Sequence, residues 1–264
     1  MKKIPRKKQK EIMLELLKYF DDLCRKNSIK YSLIGGTLIG AIRDKGFIPW
    51  DDDIDIILEK ENYDKIIKIL KTNNNSDYKL LTRDTCKDYY FPFPKLVATN
   101  TMVVEPLCLK QCSEYGIFID ILYYKKMPKE EKIFKKIKLL DSLLSRKKIN
   151  KKEGIKQNFL RFNKNIISIL IGYDNLIKIK EKIYSKYDNI PSEYVLSNWP
   201  VYAYENEYQL QKNIIEYIDV PFENIKAMVF KNYDNVLKNL YGNYTKMPPK
   251  EQRISHGLEA YWRK

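Results

Sequence analysis

The chain has 264 residues, of which 44% are hydrophobic and 31% charged, and its 49 Lys and Arg against 34 Asp and Glu leave a net charge of +15. This is ordinary globular composition at a length for one large domain or two small ones, and the cationic excess points to anionic partners: phosphates, nucleic acid or a membrane face. The single histidine, His256, excludes His-rich zinc motifs such as H-E-x-x-H and forces any Ser-His-Asp machinery through one late residue, so carboxylates must carry most of the chemistry. The same bias follows from A/T-rich codon usage, which favours Lys, Asn, Ile and Tyr; charge alone assigns no partner.

The first element is an amphipathic helix, with Ile12, Leu16, Leu17, Phe20 and Leu23 at helical spacing. Tyr31–Ile34 reads as a short buried strand stopped by Gly35-Gly36, with Thr37 as N-cap of a short helix. A second strand is expected over Ile54–Leu58, a helix over Glu61–Leu70, and strands at Tyr78–Leu81, Thr101–Glu105 and Gly116–Tyr124. Pro92 and Pro94 make the aromatic stretch Tyr89–Val97 an edge or irregular strand. From Pro128 to Lys186 the chain is Lys/Ile/Leu-rich with helical period, broken near Gly154 and Gly172; a strand at Ile225–Phe230 and a helix at Tyr233–Tyr241 close the pattern. The order is a mixed α/β core (1–125), a helical insertion (126–200) and a segment returning to the core (201–264). No signal peptide precedes the four cysteines, and no window approaches 18 uncharged apolar residues. A cytoplasmic chain with free thiols is expected.

The chemistry concentrates in one stretch, S-L-I-G-G-T-L-I-G-A-I-R-D-K-G-F-I-P-W-D-D-D-I-D-I, residues Ser32 to Ile56. In an extended chain Asp51, Asp53 and Asp55 share one face and Asp52 takes the other. Three carboxylates together repel unless a cation neutralises them, and an oxygen-only donor set selects Mg²⁺ or Mn²⁺. Gly35 and Gly36, between strand and helix, let backbone N–H groups approach a phosphate. Asp120, alone in the apolar strand G-I-F-I-D-I, is unfavourable unless it faces a partner or a metal. Together these residues read as metal-assisted phosphoryl or nucleotidyl transfer. Arg43 and Lys95 are further candidate phosphate contacts.

These motifs, with the terminal L-Y-G-N-Y-T-K-M-P-P-K-E-Q-R-I-S-H, resemble the LicD family of phosphotransferases, to which fukutin and fukutin-related protein are more distantly similar. The resemblance spans about Tyr31–Tyr124 and Pro221–His256. It implies an α+β fold: a nucleotidyltransferase-type, polymerase-beta-like mixed sheet core with flanking helices. It also implies transfer of phosphocholine, or a related alcohol phosphate, from a CDP-linked donor to a glycan hydroxyl. Asp51, Asp53, Asp55 and Asp120 would surround Mg²⁺, with Asp53, Asp55 and Asp120 catalytic and Asp120 either a metal ligand or the general base. Gly35, Gly36 and Thr37 would line the donor phosphates. Arg253 and His256 match the family's terminal R-x-x-H, and Trp50 or Trp199 would stack on cytosine or enclose a quaternary ammonium.

The expected partners are CDP-choline or another CDP-alcohol and a glycan acceptor of the lipid-linked kind. Lys2, Lys3, Arg6, Lys7 and Lys8 would then dock on an anionic leaflet at about 1 kcal/mol each. A polyol-phosphate transferase using CDP-ribitol or CDP-glycerol keeps the same site. So does a nucleotidyltransferase acting on RNA, a small molecule or a protein, although no RNA-binding signature accompanies it.

Overall fold

A computed structural model describes residues 1–105, 112–145, 154–253, 255 and 257–263. In chain order the elements are α1 (Arg6–Lys26), β1 (Ser32–Leu33), α2 (Gly35–Ile39), β2 (Asp55–Glu59), α3 (Lys60–Thr72), β3 (Tyr78–Leu81), β4 (Lys95–Ala98), β5 (Thr101–Val104) and β6 (Phe118–Lys126). There follow α4 (Glu131–Leu144), α5 (Ile155–Ile171), α6 (Tyr173–Ser185), β7 (Tyr194–Ser197), α7 (Tyr204–Glu207), β8 (Gln209–Leu210), β9 (Tyr217–Phe222), β10 (Ile225–Phe230), α8 (Tyr233–Tyr241) and β11 (Glu259–Trp262).

The central sheet runs β1-β2-β6-β4-β3, with β7 on β6 and β8 on β7. β2 and β6 are parallel; β4 and β1 run antiparallel to their neighbours. β6 is buried from Phe118 through Tyr124, as a strand covered on both faces must be, and Asp120 is the one charge in that run. Helix α1 turns Met13, Leu16, Leu17, Phe20 and Cys24 inwards and packs on β6 and β4. The β9–β10 hairpin lies beside β1, where the Met228 and Phe230 N–H groups donate to the Tyr31 hydroxyl (3.3 Å) and Ser32 Oγ (3.0 Å). The architecture is the mixed α+β core that the sequence predicts.

Several local expectations change. The helix after the double glycine begins at Gly35, so Thr37 lies in its first turn and is not its cap. The proline-aromatic segment 89–94 is irregular, and β4, starting after Pro94, is an interior strand rather than an edge. Between 131 and 185 the described residues form three helices, with breaks at Gly172 and next to Gly154 as expected, and β7 pairs with β6 of the core sheet from within 126–200. β7, β8, β9 and β11 are additions to the strands expected from sequence.

Cys24, Cys86 and Cys112 are free and buried; Cys108 lies outside the described residues. Among the described residues no helix is long and apolar enough to cross a membrane.

Candidate active site

The site is assembled at the joint between β1, α2 and the segment leading into β2. Ile34 is extended, and Gly35 turns the chain with a left-handed φ of +63°, a conformation natural to glycine. The Ile34 N–H donates to the Asp55 carbonyl (3.1 Å), and the Asp55 N–H donates to Thr37 Oγ1 (3.0 Å). The glycine turn and the acidic segment are thus tied together at the backbone.

Residues 51–55 alternate as an extended chain must. Asp51, Asp53 and Asp55 line a cavity of about 590 Å³. Asp52 turns the other way: it is buried, accepts from Ser255 Oγ at 3.1 Å, and has Arg6 Nη2 at 3.8 Å. Sheet register adds the next charges. Asp55 is opposite Asp120, and Asp120 is opposite Lys95, so three charged side chains stand abreast on β2, β6 and β4. Lys95 Nζ donates to Asp120 Oδ1 at 2.5 Å, with both residues almost wholly buried. The ammonium sits 3.6 Å from the Phe118 ring centroid, with Phe91 and Phe93 at 4.6 and 5.2 Å.

The crowding shows in the protonation equilibria. Burial raises the Asp55 carboxyl well above its ordinary pKa; the charges of Asp53, Asp120 and Asp51 raise it further, and Lys95 opposes them. Burial also lifts Asp120 to about 6, against the pull of Lys95.

Gly35, Gly36, Asp51, Asp53, Asp55, Lys95 and Asp120 therefore share one cavity. Thr37 lies behind its wall, bonded to Asp55. Arg43, Trp50 and Arg253 are not among its lining residues. Arg43 pairs with Asp44 at 2.7 Å, while Arg253 stacks 5.1 Å from the Trp50 ring centroid and donates to the Pro248 carbonyl at 2.9 Å. His256 lies outside the described residues.

The cavity also takes residues that the sequence reading did not join to it as a group. Glu105, Glu207, Phe93, Trp199 and Tyr202 all line it. Glu207 is buried, accepts from the N–H groups of Tyr202 (2.7 Å) and Val201 (3.0 Å), and is pushed up to about 7 by burial. Its neighbour Tyr202 bonds the hydroxyl of Tyr241. Local spacing gives no signal for Glu207 or Tyr202. For Lys95 there is one: aromatic residues alternating with prolines, F-P-F-P, immediately precede a lysine.

As the side chains stand, no three His, Cys, Asp or Glu among the described residues form a ready-made metal-ligating group. The donor chemistry nevertheless fits a hard cation. Among the described residues, Asp51, Asp53, Asp55, Glu105, Asp120 and Glu207 line the cavity against the one ammonium of Lys95, and this excess of oxygen-borne negative charge is what a divalent ion would neutralise.

The family model described as LicD/FKTN/FKRP, nucleotidyltransferase domain, matches residues 28–95, which hold the glycine turn, the aspartate run and Lys95. Over the whole chain the sequence is similar to the lipopolysaccharide cholinephosphotransferase LicD of Haemophilus influenzae: 31% identity across 280 aligned residues, covering 99% of each protein. An uncharacterized protein of Rickettsia prowazekii is 33% identical over 101 residues, 34% of this chain and 38% of that one. Another, of Rickettsia typhi, is 38% identical over 68 residues, 26% and 22% of the two chains. With end-to-end similarity of that degree, and the matched segment building the cavity wall, this chain belongs to the LicD family and is a phosphotransferase of that family.

Proposed function

We propose that the protein transfers phosphocholine from CDP-choline to a hydroxyl of a lipid-borne cell-surface glycan, of the lipopolysaccharide kind, and releases CMP. The acceptor oxygen forms a bond to the choline-bearing phosphorus, the bridging P–O bond to CMP breaks, and the hydroxyl proton passes to a carboxylate. The reading is carried by one observation: three aspartates from the β2 approach, Asp120 from β6 and a side-chain-free double glycine share one cavity wall.

The diphosphate is anionic, and so is the wall, so the donor needs a cation between them. Asp51, Asp53, Asp55 and Asp120 would hold Mg²⁺ or Mn²⁺, which when bound supplies neutralisation of the diphosphate and of the departing CMP. Gly35 and Gly36 let the Asp51 and Asp55 carboxylates close on the backbone, so an ion held there would bring the donor phosphates to the glycine turn. Asp120, lifted to about 6, either accepts the hydroxyl proton or ligates the ion, and Lys95 holds it in place.

A cationic headgroup suits the aromatic part of the cavity better than a neutral polyol does. Trp199, Tyr202 and Phe93 line it together with Glu207, and rings beside a carboxylate are the combination that recognises a quaternary ammonium. The similarity to a cholinephosphotransferase supports the same choice.

The test is mass spectrometry of CDP-choline, CDP-ribitol and CDP-glycerol turnover with Mg²⁺, Mn²⁺ or a chelator. Metal-dependent CMP release from CDP-choline, with slower use of the polyol donors, is the expected result. Turnover undiminished by the chelator would remove the metal role, and preference for CDP-ribitol would reassign the headgroup.

A further inference from the structure

Helix α5 carries its apolar side outwards. Ile155, Phe159, Phe162, Ile166, Ile169 and Leu170 recur at the spacing of one helical face, and each is between 40% and 90% exposed. The stripe along one edge of it, Asn158, Arg161, Asn165 and Ser168, is the less exposed one, with Ser168 fully buried, while Leu160 and Ile167 extend the exposed apolar surface along the other edge. Since α5 packs against α4 and α6, its polar side meets the protein and its greasy side meets solvent. A surface helix of a water-surrounded protein has the reverse arrangement, and a continuous exposed apolar stripe marks an interaction surface.

The apolar stripe and the charges along the same helix together select what covers it. The 17 residues of α5 include Lys156, Arg161 and Lys164 and no acid. A second copy of a chain carrying +15 would bring like charges together, whereas an anionic bilayer attracts them. The cations of the N-terminal leader, by contrast, are largely engaged within the fold. Lys3 pairs with Glu259 at 2.7 Å, Arg6 donates to the Trp50 carbonyl at 2.6 Å, and Lys8 pairs with Glu11 at 3.0 Å.

We propose that α5 is an in-plane membrane-docking helix. Its apolar stripe lies in the headgroup–acyl boundary of an anionic leaflet, and Lys156, on the flank of the stripe, reaches up to the lipid phosphates. The proposal rests on the transferase reading only for its purpose, which is to bring the cavity to an acceptor carried by lipid; docking itself requires no donor, metal or glycan.

The test is sedimentation of the full chain with vesicles of phosphatidylcholine containing about one-third phosphatidylglycerol, with no substrate present. The wild-type chain is expected to pellet with these vesicles. Phe159→Glu/Phe162→Glu, outside the core, should lower the bound fraction about tenfold or more while leaving the melting curve and the turnover of CDP-choline on a soluble acceptor unchanged. If that variant fails to fold, Ile169→Ser/Leu170→Ser at the other end of the stripe gives the same readout. Equal sedimentation of variant and wild type, or no binding by the wild type, overturns the proposal. So does a wild-type dimer that the substitutions split without any vesicle binding, which would assign the stripe to a second copy. A chain that docks but turns over no CDP-choline refutes the transferase reading and leaves the docking helix standing.

Discussion

A Cβ atom added to Gly36 would lie 2.6 Å from Oδ2 of Asp51, and one added to Gly35 would lie 3.1 Å from Oδ2 of Asp55. The double glycine and the aspartate run are therefore complementary surfaces of one site: the carboxylates occupy the space that the missing side chains vacate.

Replacing Gly36 by alanine should disturb function more than folding. The clashing atom ends a short side chain that can rotate away, so the stability loss stays near the low end of the ~1–3 kcal/mol typical of overpacking. The displaced Asp51 carboxylate should lower turnover by up to about 100-fold, the scale on which a misplacement of about 1 Å is felt. Thermal unfolding and CMP release, measured side by side, separate the two.

Asp53→Asn removes one of the negative charges that raise Asp55 and Asp120. In metal-free buffer its Tm should equal or exceed that of the wild type. Turnover should fall about 100-fold or more, as when a group stabilising transition-state charge is lost, and the Mg²⁺-induced rise in Tm should shrink. A variant with wild-type CMP release would place the ion elsewhere.

Lys95→Met leaves Asp120 buried with its ammonium gone. Breaking such a pair from one side costs about 3–5 kcal/mol, and urea unfolding in metal-free buffer at pH 8 should show that loss. Near pH 5, where Asp120 is protonated, the deficit should narrow. A deficit independent of pH would mean that the aromatic packing around Lys95, not its charge, matters.

Glu207 supplies a pH dependence whose sign is fixed. Its carboxyl titrates at about 7 in the folded chain against 4.5 ordinarily, so the native state binds the proton more tightly. The stability this confers is complete below pH 4.5 and is lost as pH rises through 7, amounting to about 3 kcal/mol at most. Glu207→Gln should match the wild type near pH 4.5 and exceed it at pH 8. The difference between the two urea-midpoint profiles isolates this group from Asp55 and Asp120.

Trp199 and Trp50 should behave differently although either reads as a headgroup contact in the sequence. Trp199 lines the cavity, whereas Trp50 stacks under Arg253. By calorimetry, Trp199→Ala should weaken CDP-choline binding about tenfold, the scale of a desolvated cation–π contact, with a smaller effect on CDP-glycerol. Trp50→Ala should leave both affinities unchanged.

The acidic face was legible because alternation is a local property: Asp51, Asp53 and Asp55 must share a side wherever the strand goes, and Asp120 stood out as a charge inside an apolar strand. Lys95 was harder to read: the F-P-F-P run before it sets it apart from the many solvated lysines, but says nothing of which acid it meets. Parallel pairing of β2 with β6 and antiparallel pairing of β4 with β6 set it beside Asp120.

Backbone geometry over a few residues suffices for the double-glycine turn, the side on which each aspartate of the run emerges, and the periods of the longer helices. Long-range packing is what brings Glu207, Trp199 and Tyr202 to the same cavity, leaves Trp50 and Arg253 out of its lining, and faces the apolar stripe of α5 outwards. Helical period marks such a stripe but not its direction, because direction depends on which neighbours cover the helix, and those neighbours come from distant parts of the chain.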